Sequence, residues 1–142
     1  MKRLLFLLFV FMSDLFADSK TDETYKIGDT GPGGGLIFHV EGGRYMEVSH
    51  ILGTYKWNKA LNVARNYKGG GFNGWRLPTK EELNQIYVNL KKSGKADLGN
   101  TRHWSSSELN FDDSGWFQNF DGDNQSTCYK SNAHSVRAVR AF

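Results

Sequence analysis

One cysteine, Cys128, is all that this chain of 142 residues contains. A small exported domain that depends on disulfides carries an even set of cysteines, so packing must hold this core together. Cys128 lies in the strand-like run 126–130, and we therefore predict a buried thiol that behaves as a small apolar residue. The alternative is an exposed thiol that pairs between chains.

The sequence also lacks a block of basic residues, although its formal net charge is +3. Its lysines and arginines are spread among acidic residues along the chain. Lys2, Arg3 and Asp14 all fall within the first seventeen residues, so the loss of that segment lowers the net charge by one. A protein that binds nucleic acid needs a concentrated basic face, and we therefore expect no nucleic-acid partner.

Residues 1–17 have the order of a cleavable signal peptide. Met1–Arg3 is basic, residues 4–12 are apolar without interruption, and Ala17 supplies a small residue at the expected cut. A membrane-spanning helix needs about 20 apolar residues, and Asp14 interrupts this run well before that length. We expect an exported protein that is secreted, periplasmic or displayed on the cell surface, without stable membrane insertion after cleavage. An uncleaved anchor is the alternative.

The rest of the chain reads as one domain, residues 25–142, preceded by a polar, flexible N-terminus at residues 18–24. Glycines and other turn residues at 28–35 predict tight turns before the first strand. These glycines do not form a phosphate-binding loop, because the Lys-Ser/Thr pair that would hold the phosphate is missing. Beyond them we predict a hairpin with strands at 36–40 and 45–49.

Two helices are predicted in the middle of the chain. Apolar residues recur at helical spacing from 55 to 67, and the glycines at 69–71 end this helix. In the second helix, Thr79 and Glu82 have the spacing of a capping box, in which each side chain bonds a backbone amide at the helix N-terminus. Gly94 is placed to end the second helix.

Short strands separated by turns make up the last third of the sequence. Two strands, two helices and then a run of strands indicate an α+β domain in which two helices pack on an antiparallel sheet. Its C-terminal half is strand-rich, with predicted strands at 103–108, 115–120, 126–130 and 136–142.

The segment Gly74–Leu83 reads GWRLPTKEEL. It resembles the Trp-Arg-Leu-Pro-Thr signature of the Lcl C-terminal domain family, formerly a domain of unknown function. Further blocks at 28–38, 104–108 and 135–142 agree with that family and follow in the expected order. The resemblance implies a C-type-lectin-like fold that is distantly similar to the formylglycine-generating enzymes.

We interpret the motif as structural. Pro78 ends the strand before the capped helix, and Arg76 is placed to send its guanidinium across a buried turn. Of the four tryptophans, at positions 57, 75, 104 and 116, we predict that at least three are buried. The residues with a predicted structural role are Trp75, Arg76, Leu77, Pro78, Thr79, Glu82, Trp104, Trp116, Arg137 and Arg140.

The sequence predicts no catalytic site and no cofactor. The formylglycine-generating relatives bind copper with a pair of cysteines, whereas this chain has one cysteine. The serines at 105–107 lack the glycines of a nucleophile elbow, and no two histidines stand at zinc-ligand spacing. The turn at 121–124 offers oxygen atoms to a structural calcium ion, but it matches no calcium motif and an ordinary hairpin turn explains it.

Polar and aromatic residues are concentrated in the loops of segment 110–134, as they are at many recognition sites. Sugars suit such loops, because hydroxyls pair with amides and the C–H face of a sugar ring stacks on aromatic side chains. We predict an exported binding module for a glycan or a surface protein. The alternatives are a structural subunit of an envelope assembly and an enzyme related to the formylglycine-generating fold. Oligomeric state is left open. The predicted ligand-binding residues are Asn119, Asp121, Asp123, Asn124, Gln125, Tyr129, Lys130, Asn132 and His134.

Overall fold

The computed structural model describes residues 24–109 and 113–142. The predicted signal peptide, most of the polar segment after it, and the turn residues Asn110 and Asp112 lie outside these ranges. Within them, no helix has both the length and the apolar character needed to cross a membrane. In chain order, the elements are β1 (Leu36–Glu41), β2 (Arg44–Val48), β3 (Gly53–Lys56), α1 (Trp57–Asn66), α2 (Lys80–Ile86), β4 (Arg102–Glu108), β5 (Ser114–Asn119), β6 (Gln125–Tyr129), β7 (Ala133–Val136) and β8 (Val139–Ala141).

The α+β class and the strand-rich C-terminal half are confirmed. The strands form two sheets, a three-stranded sheet in the order β1-β2-β8 and a five-stranded sheet in the order β3-β7-β4-β5-β6. Strands β4 and β7 meet in parallel at His103 and Ser135. The other pairings of these strands are antiparallel, as predicted.

The strand predicted at 136–142 is wrong as a single element, because the chain changes sheets there. Strand β7 belongs to the five-stranded sheet and β8 to the three-stranded sheet. Between them, Ala138 exchanges two hydrogen bonds with Ser49, whose amide donates to Ala138 O (2.8 Å) and whose Oγ accepts from Ala138 N (2.9 Å). The Arg137 guanidinium holds the crossing from below by donating to Ser49 O (3.0 Å) and Leu98 O (3.1 Å).

Strand β3 was not expected, and the first helix begins later than its apolar spacing suggests. Residues 53–56 pair with β7, placing Gly53 beside Val136 and Lys56 beside Ala133. The partners are about eighty residues apart in the sequence, so no local pattern reports the pairing. The helix therefore starts at Trp57 rather than at residue 55.

The local predictions around the second helix are confirmed. Thr79 Oγ1 accepts from Glu82 N (3.2 Å), and Glu82 Oε1 accepts from Thr79 N (2.9 Å), which completes the capping box. After Ile86 the helix continues as wider, π-helical turns through Tyr87–Lys92. Gly94 then adopts φ +77°, the left-handed conformation that ends helices.

Arg76 corrects a detail of the motif. Its guanidinium makes a bidentate pair with the Glu82 carboxylate, at 2.6 and 2.8 Å, but 47% of the Arg76 side chain is exposed. The turn it crosses lies at the surface, because Glu82 faces outward from the first turn of α2. Partial burial acts to raise the pKa of Glu82, but the hydrogen bonds from Arg76 and Thr79 outweigh it and lower the pKa.

Three buried tryptophans organise the core, as predicted. Trp57, Trp75 and Trp104 are at most 5% exposed, while Trp116 is half-buried. Each buried indole N–H donates to a backbone carbonyl, which removes the cost of leaving a polar group unpaired in the interior. The acceptors are Ser105 O (2.9 Å), Gly69 O (3.2 Å) and Tyr55 O (2.9 Å), respectively.

The glycine-rich turns at 28–35 wrap a buried carboxylate. Glu47 is fully buried and accepts from Gly33 N (3.1 Å), Gly35 N (2.8 Å) and Arg140 Nη2 (2.7 Å). A Cβ atom at Gly33 would lie 2.6 Å from the Trp75 ring, so the turn has no room for a side chain there. The glycines thus let the backbone approach the ion pair that joins β2 to β8.

Candidate functional site

A shallow cavity of about 460 Å³ opens where β4, β5 and β7 meet at one end of the five-stranded sheet. It brings together three of the nine predicted ligand-binding residues. Six further residues complete it. The lining residues are Thr54, Asn100, Thr101, Arg102, Asn119, Asp121, Ala133, His134 and Ser135.

Sheet register explains why these side chains converge. Arg102 opens β4 directly beside Asn119, which closes β5. On the other side, Thr54 of β3 pairs with Ser135 of β7. The Ser135 hydroxyl also bonds the Thr101 hydroxyl at 2.8 Å, which joins the β7 side of the cavity to the residue before β4. The cavity is therefore framed by paired strands rather than by a free loop.

The turn after β5 is held by its own side chain. Asn119 Oδ1 accepts from Asp121 N (3.0 Å), and Asn119 N donates to Asn124 O (3.0 Å). This Asx turn fixes the direction in which the chain leaves the strand. The Asp121 side chain is exposed beside the cavity and presents a carboxylate there.

His134 forms the aromatic part of the cavity. Its ring packs against Trp104 (centroids 4.7 Å apart) and Phe117 (5.2 Å), and its Nε2 lies 3.1 Å from Cys128 Sγ. Burial and, secondarily, the charge of Arg102 lower the pKa of His134. The imidazole is therefore neutral at pH 7.

Arg102 is the main cation of the cavity, and no pattern in the sequence identified it. Its guanidinium lies 5.1 Å from the centre of the Phe117 ring, within cation–π range. The backbone of Arg102 is fixed by the register with Asn119. This stacking orients a planar donor group at the opening of the cavity.

Beneath the cavity lies a buried Arg–His pair. His103 is fully buried and stacks on Phe120, with ring centroids 4.0 Å apart. Its Nε2 accepts from Arg137 Nε (3.0 Å), so its Nδ1 carries the proton and donates to Thr101 O (3.1 Å). Burial, reinforced by the positive charge of Arg137, lowers the pKa of His103 to about 3. The pair thereby fixes the backbone of Thr101, which lines the cavity.

The other predicted ligand-binding residues lie elsewhere. Gln125 is engaged internally, since its Nε2 donates to Lys80 O (2.6 Å) and Gln118 Oε1 (3.1 Å). Lys130 bonds Glu108 at 2.8 Å and stacks over Trp57, 4.2 Å from the ring centroid. Exposed positions outside the cavity are occupied by Asp123, Asn124, Tyr129 and Asn132.

Cys128 is half-buried rather than fully buried, and it packs at the edge of the tryptophan core. Burial raises the pKa of its thiol, which outweighs the lowering by the Asn132 side chain and by the charge of Arg102. Among residues 24–109 and 113–142, no three histidine, cysteine or acidic side chains are grouped so that they could hold a metal ion. A calcium ion at the turn 121–124 stays a prediction.

A larger groove, of about 770 Å³, runs along the exposed side of α1, away from the predicted loops. It lies between the helix and Leu52, and its lining includes three asparagines from successive turns of the helix. The lining residues are Leu52, Asn58, Lys59, Asn62, Val63, Asn66 and Tyr67.

Comparison with protein families matches residues 39–140 to the model of the Lcl C-terminal domain. The match covers most of the chain and both sheets, and the chain therefore belongs to the Lcl C-terminal domain family. Comparison with curated proteins finds no match.

Proposed function

We propose that this member of the Lcl C-terminal domain family is an exported, non-catalytic binding module whose ligand is a glycan held in the cavity between β4, β5 and β7. The observation that carries the proposal is the convergence of Arg102, Asn119, Asp121 and His134 at that cavity. Export rests on the leader-like residues 1–17.

The chemistry of these four side chains suits a sugar. A hydroxyl both donates and accepts hydrogen bonds, and adjacent hydroxyls are well matched by a carboxylate or a guanidinium. Asp121 supplies acceptors, Arg102 supplies a planar set of donors, and the neutral His134 ring offers an aromatic surface. The volume of about 460 Å³ falls within the range of small-ligand sites, and a shallow opening admits part of a longer chain.

The state of the Cys128–His134 pair supports a non-catalytic role. Their separation of 3.1 Å resembles a nucleophile beside its base, but such chemistry requires a thiolate. Here the pKa of the Cys128 thiol is raised and the pKa of His134 is lowered, so both groups are neutral at pH 7. A second cysteine, which the copper-binding relatives use, is absent from the sequence.

A glycan array probed with the purified protein tests the proposal. We expect selective binding to a subset of glycans, and a loss of affinity of about tenfold or more in Arg102→Ala and in Asp121→Ala, since hydrogen bonds to charged groups are the strong ones. Asp123→Ala is the matched control, because this acid lies in the same turn but outside the cavity. Circular dichroism checks that each variant is folded.

Two results would contradict the proposal. One is the absence of binding to any glycan on the array. The other is binding that Arg102→Ala and Asp121→Ala leave unchanged, which would move the site elsewhere. A protein that binds nothing on the array but co-purifies with envelope components would favour the structural-subunit alternative.

A further inference from the structure

The exposed face of α1 carries a ladder of asparagines that the proposed glycan site does not use. Asn58, Asn62 and Asn66 follow one another at intervals of four residues, so they lie one above the next on successive turns. All three are exposed. None of their side chains bonds another residue of the part of the chain described by the structure. Each amide therefore keeps a free donor and a free acceptor directed to the solvent.

Helix stability does not explain this choice of residues. Asparagine is one of the weaker helix formers, whereas alanine, glutamate or lysine would suit an exposed position better. The first turn of α1 also has no acidic residue and no side-chain cap, both of which would stabilise the helix. The amides are thus present despite a cost to the helix, which points to a ligand.

The groove beside the ladder has an apolar floor and a positive border. Leu52, Val63 and Tyr67 line it and are half-buried. The cations here are not interspersed with acids, contrary to the pattern expected for the whole chain, because residues 48–80 include no aspartate or glutamate. Exposed cations on or next to the helix are Lys56, Lys59, Arg65 and Lys68.

We propose that this groove binds an extended, acidic peptide segment of a partner protein. An asparagine amide can donate to a backbone carbonyl and accept from a backbone N–H of the same peptide residue. Four residues of helix advance about 6 Å, and two residues of an extended strand advance about 6.4–6.8 Å. Three rungs therefore stay close to register with every second residue of an extended chain.

The same register distributes the side chains of the peptide. Successive side chains of an extended chain point to opposite sides. One set would pack on Val63, Tyr67 and Leu52, which favours apolar residues at alternate positions. The other set would face the solvent beside Lys59 and Arg65, which favours aspartate and glutamate. A membrane surface is disfavoured, because it would require apolar groups where the three amides stand.

The probe is a terminally blocked, fluorescein-labelled peptide of about eight residues in which glutamate alternates with valine, long enough to span the three rungs. Fluorescence anisotropy measures its affinity for the full-length protein. We expect saturable binding, with an affinity about tenfold lower in Asn62→Ala and at least about a hundredfold lower when all three asparagines are alanine. These substitutions raise helix propensity, so a melting temperature equal to or above that of the wild type excludes misfolding.

Three controls define the mode of binding. Methylation of alternate backbone nitrogens of the peptide should abolish binding, and a lysine–valine peptide should bind at least about tenfold more weakly. Arg102→Ala should leave peptide binding unchanged, which separates this groove from the glycan cavity. In NMR spectra, the side-chain NH₂ signals of Asn58, Asn62 and Asn66 should shift on titration. The proposal is overturned if the acidic peptide does not bind, if the triple variant binds it as well as the wild type, or if those signals stay in place.

Discussion

The buried His103 makes the fold sensitive to mild acid in a way that can be calculated. In the folded protein its pKa is about 3, whereas a histidine in the unfolded chain has a pKa of about 6.5. Between these values the unfolded state binds a proton that the native state does not. The contribution of His103 to stability is therefore complete above pH 6.5 and is lost progressively as the pH falls from 6.5 toward 3.

The size of this effect follows from the pKa difference. The free energy of unfolding should fall by about 2 kcal/mol between pH 7.5 and pH 5, and by nearly 5 kcal/mol below pH 3. Most carboxylates titrate below pH 5, so the loss between pH 7.5 and pH 5 belongs mainly to histidine. His134 adds to it with the same sign, because its pKa is also lowered.

The assay is urea unfolding at several pH values from 7.5 to 5, followed by the fluorescence of the buried tryptophans. His103→Gln is the informative variant, since its amide oxygen can accept from Arg137 and its NH₂ can donate to Thr101 O without titrating. We expect His103→Gln to be less stable than the wild type at pH 7.5 and to depend less on pH. Equal pH dependence in the two proteins would refute the reasoning, as would a wild type whose stability is constant over this range.

Two further predictions concern the glycine turn and the thiol. Gly33→Ala should destabilise the protein by at least about 1–3 kcal/mol, because the new methyl group would lie 2.6 Å from Trp75 and 2.9 Å from the Glu47 carboxylate; Gly34→Ala, at an open position with φ +82°, tests backbone strain alone, and an equal loss in both variants would contradict the steric argument. Cys128 should react with iodoacetamide at pH 7 more slowly than a free cysteine does, since the pKa of its thiol is raised by burial, and should approach the free rate only on unfolding in urea; fast reaction of the native protein would show that the thiol is ionised.

The parts of the fold that the sequence predicts well are local. The capping box joins Thr79 to Glu82, three residues away, and glycines with positive φ at positions 42 and 43 close the hairpin between β1 and β2. In each case the residues that form the feature are neighbours in the chain. The family motif adds the order of the blocks, and the C-type-lectin-like likeness that it implies stays a prediction.

The parts that the sequence does not predict depend on distant partners. The change of sheet at Arg137 is held by Ser49, 88 residues earlier, and β3 exists only because β7 pairs with it. The candidate cavity shows the same division. Asn119 and Asp121 were predicted from turn chemistry, whereas Arg102 enters the cavity only through the register between β4 and β5.

The asparagine ladder shows a different limit. Its spacing is visible in the sequence, but an analysis of helical periodicity follows the apolar residues that form a core. Amides on the opposite face count there only as solvent-exposed residues. Their significance depends on the groove beside them, whose far side is Leu52, and on the absence of any bond from the three amides to the rest of the described structure. A polar repeat that weakens its own helix is therefore informative where a matching surface lies next to it, and this domain places such a surface well away from the cavity at the strand ends.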